Sequence, residues 1–162
     1  MGTLSSEPDP ELRTDITFDC YSCARESERD ALPDRELIAV DEHWRVAHAT
    51  GSALAGWLVL MPRRHVLEVA ELTDTESALL GGWQVRLARA LRRVVGADKI
   101  YVTKFGEMPG FHLHFHIVPR PPDLAEQVRG PKVFGLLGRT GDTGEISEAE
   151  RDDLARRIRA QL

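Results

Sequence analysis

Three histidines alternate with apolar residues in the second half of the chain. They are His112, His114 and His116. Because successive side chains of a β-strand point to opposite faces, this spacing predicts a strand over His112–Pro119 whose three imidazoles share one face. Half of the six histidines of the chain would then crowd one surface. Such a cluster favours a chemical role over a structural one.

Two kinds of chemistry fit three imidazoles at this spacing. Alternating histidines can chelate a metal ion, as in zinc hydrolases and cupin-type barrels. Alternatively, one imidazole is a nucleophile and its neighbours bind a phosphate group. A cupin-type barrel needs many short strands and little helix, which disagrees with the long helix predicted below. The spacing alone leaves both chemistries open.

A pair of cysteines is the second group of reactive residues. Cys20 and Cys23 are the only cysteines and stand in a Cys-x-x-Cys arrangement. The segment Met1–Thr17 is acidic and contains proline, without the basic start and apolar run of a signal peptide. We therefore expect a cytoplasmic protein. In that reducing compartment the pair indicates metal ligation or redox chemistry rather than a structural disulfide.

Length and charge limit the class of protein and its partners. A chain of 162 residues is long enough for one domain with a substantial core. The net charge of −5 would repel nucleic acid and anionic membranes, so neither is an expected partner. No segment approaches the roughly 18 apolar residues of a membrane span. A small anionic ligand is still compatible with a locally positive site.

The pattern of the chain predicts an antiparallel sheet with one long packing helix. Thr73 and Glu76 fit a capping box, apolar residues then recur every three or four positions, and Gly96 is a suitable stop. We expect a helix over 74–95. Expected strands cover Glu36–Val40, Trp44–His48, Trp57–Met61 and Lys99–Phe105, in addition to the histidine strand.

The two ends of the chain differ in composition from its centre. We predict a flexible tail over residues 1–17 and a main domain over 18–120. Residues 121–162 form a C-terminal extension, which is irregular to about residue 146. A second capping box at Ser147–Glu150 then predicts a helix that runs to about Leu162.

Four motifs together resemble the histidine triad (HIT) superfamily. Residues 112–118 match its His-φ-His-φ-His-φ-φ triad, where φ is an apolar residue. Gly56–His65 resembles its strand that ends in Pro-x-x-His, and Leu72–Glu76 resembles the helix start that follows. The Cys-x-x-Cys pair completes a match that runs in order from Cys20 to Arg120, closest to the Hint-like and diadenosine-tetraphosphate-hydrolase-like branches.

The resemblance implies a fold and an activity. The fold is α+β: a five-stranded antiparallel sheet with one long packing helix, here followed by a C-terminal helical extension, usually in a homodimer. The activity is that of a nucleotide phosphohydrolase or nucleotidyl transferase acting on an α-phosphate of a nucleotide or dinucleoside polyphosphate. His114 would form a covalent nucleotidyl-imidazole, and His116 would contact the phosphate oxygens. The alternatives are a nucleotide-binding regulatory module with little turnover, or a metal-dependent hydrolase.

The chemistry implied for His114 sets conditions on its neighbours. With a pKa near 6.5, imidazole keeps a neutral, nucleophilic nitrogen at neutral pH. Its other ring nitrogen must then donate a hydrogen bond. A second, protonated imidazole nearby would stabilise the developing phosphoryl charge.

The resemblance also implies ligands for zinc and for the nucleotide. Zinc-bearing members use residues that correspond to Cys20, Cys23, His65 and His112, a Cys2His2 set typical of closed structural sites. Nucleotide contacts are implied for His48, Leu58 and Glu107.

The chain departs from the family pattern at three positions. Ala49 stands where related chains place a ribose-binding acid, Trp57 stands where a histidine is usual, and Glu107 lies in the stretch that cradles phosphate. The phosphorus chemistry is therefore better supported than ribose recognition.

Overall fold

The computed structural model describes residues 20–106, 111–138 and 144–162 of the chain. These residues form five strands in one antiparallel sheet of order β1-β2-β3-β5-β4, which confirms the expected α+β fold. The elements are α1 (Tyr21–Ser27), β1 (Ala39–Val40), β2 (Trp44–His48), β3 (Leu58–Pro62), α2 (Asp74–Val94), β4 (Lys99–Thr103), β5 (Phe115–Arg120) and α3 (Glu148–Arg159).

Alternation along the strands divides the sheet into two faces. One face packs on α2 and α3 and contributes Trp44, Val46, Leu58, Leu60 and Ile117, all fully buried, to the main core. The residues between them point to the opposite face and border a cleft. This period-two pattern is why the apolar positions of the histidine segment build the core while its histidines stay available for chemistry.

Helix α2 begins and ends as the sequence predicts. The Thr73 side chain accepts a hydrogen bond from the Glu76 backbone, and the Glu76 side chain accepts one from the Thr73 backbone, which completes the capping box. Trp83, Leu87 and Leu91 are buried along one side of the helix. Gly96 has a φ of +65°, a left-handed conformation that suits glycine after a helix end.

The C-terminal extension contributes to both faces of the sheet. Leu154, Ala155 and Ile158 of α3 belong to the main core. Before α3, a 3-10 helix at Gly130–Leu136 places Val133 and Phe134 in the smaller apolar cluster at the cleft face. The division into a main domain (18–120) and a C-terminal extension (121–162) stays a prediction. The predicted tail, residues 1–17, lies outside the described residues.

Several element boundaries differ from the sequence-based expectations. The expected strand over Glu36–Val40 is only two residues long, because Asp34–Glu36 forms a 3-10 turn. The histidine strand begins at Phe115, so His112 and His114 precede it. They nevertheless keep an alternating orientation, because the Leu113 backbone N–H donates to the Val66 carbonyl and buries the Leu113 side chain.

Among the described residues, no helix combines the length and apolar character needed to cross a lipid bilayer.

Candidate active site and metal centre

The histidine triad borders a cleft of about 730 Å³ on the sheet face opposite the helices. A volume of this order suits a nucleotide-sized ligand. Residues of strands β2 and β3 line the cleft together with the triad. Lining residues include Ala47, Val59, Met61, Phe111, Phe134 and Leu137.

His114 is held with one ring nitrogen committed to the backbone. Its Nδ1 lies 2.9 Å from the carbonyl oxygen of His112. Because a carbonyl oxygen can only accept, Nδ1 carries the proton and donates, which leaves the lone pair on Nε2. Burial lowers the pKa of His114, so the imidazole is neutral at physiological pH. This is the tautomer that a nucleophilic imidazole needs.

His116 lies beside Nε2 of His114, the ring nitrogen that carries no proton. The two Nε2 atoms are 3.2 Å apart, and the rings meet edge to face. On its other side, His116 Nδ1 accepts a hydrogen bond from the indole N–H of Trp57 at 3.1 Å. Burial lowers the pKa of His116 to about 4. The imidazole of His116 is therefore neutral near physiological pH, and a second, protonated imidazole beside the phosphate stays a prediction.

His112 faces a different group, the two cysteines. Its Nε2 donates to the Pro62 carbonyl oxygen at 2.8 Å, so the Nδ1 lone pair is free. That Nδ1 lies 3.5 Å from Cys20 Sγ and 3.6 Å from Cys23 Sγ, while His65 Nδ1 lies 3.2 Å from Cys23 Sγ. The four ligand atoms all lie within 4.8 Å of one another.

This cluster fits a tetrahedral metal ion. With zinc–sulfur bonds of about 2.3 Å and zinc–nitrogen bonds of about 2.0 Å, neighbouring ligand atoms stand roughly 3.3–3.8 Å apart. The hydrogen bond from His112 to Pro62 orients that imidazole as outer partners usually orient metal-bound histidines. Burial, with Cys20 as neighbour, raises the pKa of Cys23 to about 12. A thiolate there needs a cation to stabilise it.

The three expected nucleotide contacts have different outcomes. His48 borders the cleft but is buried, with Nδ1 donating to the Ala49 carbonyl oxygen and Nε2 accepting from the Gly56 N–H. Both ring nitrogens of His48 thus already form hydrogen bonds within the chain. Its role in nucleotide binding stays a prediction. Leu58 requires a correction, because it points into the core between sheet and helices, and Val59 borders the cleft instead. Glu107 lies outside the described residues.

Three aromatic residues of the site could not be assigned from the sequence pattern. Phe111 packs its ring 4.9 Å from that of His114, and Phe134 of the C-terminal extension packs 5.1 Å from His116. Trp57 is fully buried, as expected of a core residue, yet its N–H reaches the triad. The departure from histidine at position 57 was the one available signal.

Comparison with known proteins yields matches in structure alone. No family model and no curated protein matches the chain. A zinc-bound histidine triad family protein from Mycobacterium smegmatis is 25% identical over 90% of this chain and 96% of its own, with a TM-score of 0.64. A hypothetical histidine triad nucleotide-binding protein from Sulfolobus tokodaii strain7 is 20% identical over 88% and 91%, with a TM-score of 0.65. A histidine triad protein from Bradyrhizobium japonicum is 24% identical over 84% and 95%, with a TM-score of 0.64.

The chain thus has the histidine triad fold over nearly its whole length. These solved structures show the fold of this chain.

Proposed function

We propose that this chain is a nucleotide phosphohydrolase or nucleotidyl transferase that attacks an α-phosphate with Nε2 of His114. The observation that carries the proposal is the hydrogen bond from His114 Nδ1 to the His112 carbonyl oxygen. It leaves the Nε2 lone pair of a neutral imidazole at a cleft large enough for a nucleotide. The nucleotide-binding name of the Sulfolobus tokodaii protein supports the same substrate class.

The proposed reaction has two displacement steps. In the first, Nε2 of His114 forms a bond to phosphorus, and the bond from phosphorus to the leaving group breaks with its electron pair. In the second, the oxygen of water or of another acceptor bonds to phosphorus and gives its proton to solvent, and the nitrogen–phosphorus bond breaks with its electron pair. The lone pair then returns to His114. His116, 3.2 Å from that nitrogen, would hydrogen-bond to the phosphate oxygens.

We further propose that Cys20, Cys23, His65 and His112 hold one zinc ion. Four protein ligands would close the site, so the metal would be structural. It would link α1 to the segment that carries His114. The zinc-bound state of the Mycobacterium smegmatis protein supports this assignment.

Zinc bound by the triad itself, as a metal-dependent hydrolase would require, has less support. His112 Nδ1 is directed toward the cysteines, whereas Nε2 of His114 faces the ring of His116. The three imidazoles therefore do not converge on one point.

Replacement of His114 by alanine tests the nucleophile. We expect His114→Ala to lower the turnover of nucleotide substrates by several orders of magnitude, because no other group provides the covalent step. Nucleotide affinity should change little, since loss of one binding contact costs only about 1–3 kcal/mol. Kinetics on a panel of mononucleotide esters and dinucleoside polyphosphates provide the measurement, with equilibrium binding in parallel.

A matched control and a direct trap complete this test. His43→Ala removes an imidazole from the turn between β1 and β2, outside the cleft lining, and should leave turnover unchanged. Rapid quenching of the wild type should reveal a nucleotidyl adduct on His114 by mass spectrometry. Full activity of His114→Ala would refute the nucleophile. Binding without turnover by the wild type would favour the regulatory module.

A further inference from the structure

The indole of Trp57 forms a hydrogen bond with the His116 ring on the side away from His114. Trp57 is fully buried, and its N–H points at His116 Nδ1 across 3.1 Å. The Phe134 ring packs edge to face on both, with centroids 5.2 Å from Trp57 and 5.1 Å from His116. The indole and imidazole rings also meet edge to face, with centroids 5.8 Å apart.

This contact determines which nitrogen of His116 carries the proton. An indole N–H donates and cannot accept, so Nδ1 of His116 must hold its lone pair toward Trp57. The proton of the neutral ring is therefore on Nε2, which faces the free Nε2 of His114 at 3.2 Å. Protonation of His116 would place an N–H on Nδ1 directly against the indole N–H.

The surroundings of His116 also oppose a positive charge. Opposite it on the paired strands lie Val59 of β3 and Thr103 of β4, both uncharged, and Phe134 covers it from the extension. Within the described residues the one titratable group that acts on it is His114. Among the described residues, no carboxylate forms a hydrogen bond or ion pair with His116, and its Nδ1 hydrogen-bonds to the Trp57 indole instead.

We infer that Trp57 holds His116 as a neutral Nε2–H donor that cannot pass a proton to a leaving group. The substrates are therefore nucleotides whose α-phosphate carries a group that departs as a stable anion, such as a phosphate, phenolate or carboxylate. Alkylamine phosphoramidates and alkyl esters are disfavoured. The inference rests on the proposed function, since it names the substrate class of the same site.

The atoms of the first step balance without a proton from His116. Nε2 of His114 bonds to phosphorus, and the bond from phosphorus to the leaving oxygen breaks. The electron pair leaves with that oxygen as an anion, while His116 Nε2–H remains a hydrogen-bond donor. An alkylamine cannot leave as its anion and needs a proton at nitrogen before the bond breaks.

A series of leaving groups on one nucleotide tests the substrate class. The probes are aryl esters of adenosine 5′-phosphate with phenols of graded acidity, and the 5′-phosphoramidate of a simple alkylamine. For the wild type we expect kcat/KM to fall roughly 5- to 10-fold for each unit of phenol pKa. Turnover of the phosphoramidate should be at least about 100-fold slower than that of the most acidic aryl ester. Equal turnover of the two would overturn the inference and leave the proposed function intact.

Trp57→Phe tests the role of the indole N–H while keeping an aromatic ring. Loss of the donor frees Nδ1 of His116, so we expect a flatter dependence on the leaving group and a new acidic limb in the pH profile. Trp44→Phe is the matched control. Trp44 is equally buried, but its N–H donates to the Glu76 carbonyl oxygen on the helix side of the sheet. If both variants lower all rates in parallel, Trp57 only packs, and the inference fails.

A spectroscopic measurement gives a result independent of turnover. Long-range proton–nitrogen spectra of the wild type should report an unprotonated Nδ1 and a protonated Nε2 for His116 near neutral pH. A proton on Nδ1 would overturn the inference even if Trp57→Phe fails to fold. If none of the esters is turned over although the tautomer is as expected, the proposed function fails, and the assigned substrate class fails with it.

Discussion

In each imidazole of the triad, one ring nitrogen forms a hydrogen bond that determines what the other nitrogen can do. His112 donates to the Pro62 carbonyl oxygen and directs Nδ1 at the cysteines. His114 donates to the carbonyl oxygen of His112 and directs its Nε2 lone pair at His116, which in turn accepts from Trp57. Each residue thus donates to the next, from Trp57 to His116, then to His114 and to the backbone of His112, whose ring faces the cysteines. The orientation of His114, the proposed nucleophile, therefore depends on the residue that would bind zinc.

Zinc removal should affect both stability and the nucleophile. We expect about one zinc per chain, and we expect chelation or Cys23→Ser to lower the melting temperature by several degrees, because the metal links distant segments. The His114 Nδ1–H signal should also broaden, since the carbonyl that accepts it belongs to a metal ligand. Elemental analysis and thermal unfolding, with Ser27→Ala of α1 as the control, provide the measurement. A zinc-free protein whose melting does not respond to chelator would contradict this prediction.

At the scale of single residues, the sequence identifies the groups but not their hydrogen bonds. The spacing of His112, His114 and His116 is enough to predict one reactive surface, because alternation is a local property. The bond between Trp57 and His116 joins residues 59 positions apart, and no periodicity encodes it. The core position of Leu58 was missed because a shift of one residue along a strand exchanges the two faces.

At the scale of elements, α2 was predictable because its signals are local. The capping box and the apolar spacing give bounds within one residue of those observed. The start of strand β5 was less predictable. Residues 112–114 alternate between apolar and histidine side chains as the strand does, but they precede its paired residues. The 3-10 helices of the extension follow from tertiary packing around Phe134, which leaves no regular pattern in the sequence.

The first turn of α2 should make stability depend on pH through Glu76. Arg64 donates two hydrogen bonds to its carboxylate, at 2.8 and 3.2 Å, and the Thr73 backbone donates another. Arg64 holds the pKa of Glu76 below its ordinary value of 4.5. Because the pKa is lower in the folded state, the contribution to stability is present above that ordinary value. It is lost as the pH falls through the folded value.

We therefore expect Glu76→Gln to lower the free energy of unfolding by about 1 kcal/mol at neutral pH. The estimate is modest because Arg64 is half exposed. The difference from the wild type should shrink as the pH falls below 4.5 and through the lower folded-state pKa of Glu76, because the carboxylate is then protonated in both states. Urea unfolding at several pH values measures it, with the exposed loop variant Glu42→Gln as a control. A difference that stays constant over the whole acidic range in which the protein remains folded would exclude the linkage.

At the scale of the whole molecule, the sheet separates stability from chemistry. The face toward α2 and α3 carries the main apolar core, and the opposite face carries the cleft, with Phe134 of the extension beside His116. The extension also fixes the loop between β2 and β3, where Glu145 accepts from the Gly51 N–H and the Ile146 N–H donates to Ser52. Residues far apart in the chain thus complete one site.

The outer side of α2 is the surface on which we expect two copies to associate. A Cβ atom added at Gly81 or Gly82 would meet no described atom within 4 Å beyond its chain neighbours and the backbone of its own helix. Leu79 and Val85 of the same helix are 38% and 47% exposed. On β4, at the edge of the sheet, Val102 is 43% exposed. Glycines flanked by exposed apolar residues suit the close approach of a second helix, and an isologous pairing would cover them on both copies.

The double variant Gly81→Ala/Gly82→Ala distinguishes a dimer from a monomer by the sign of its effect. In a monomer the added methyl groups meet open space and should stabilise α2 by up to about 1 kcal/mol each. In a homodimer packed on these glycines, they would separate the helices and weaken association. Light scattering of the wild type should give twice 18.1 kDa at micromolar concentration, and the variant should shift toward 18.1 kDa. A wild type of 18.1 kDa whose variant only melts at a higher temperature would rule out this interface, because the glycines would then face solvent alone.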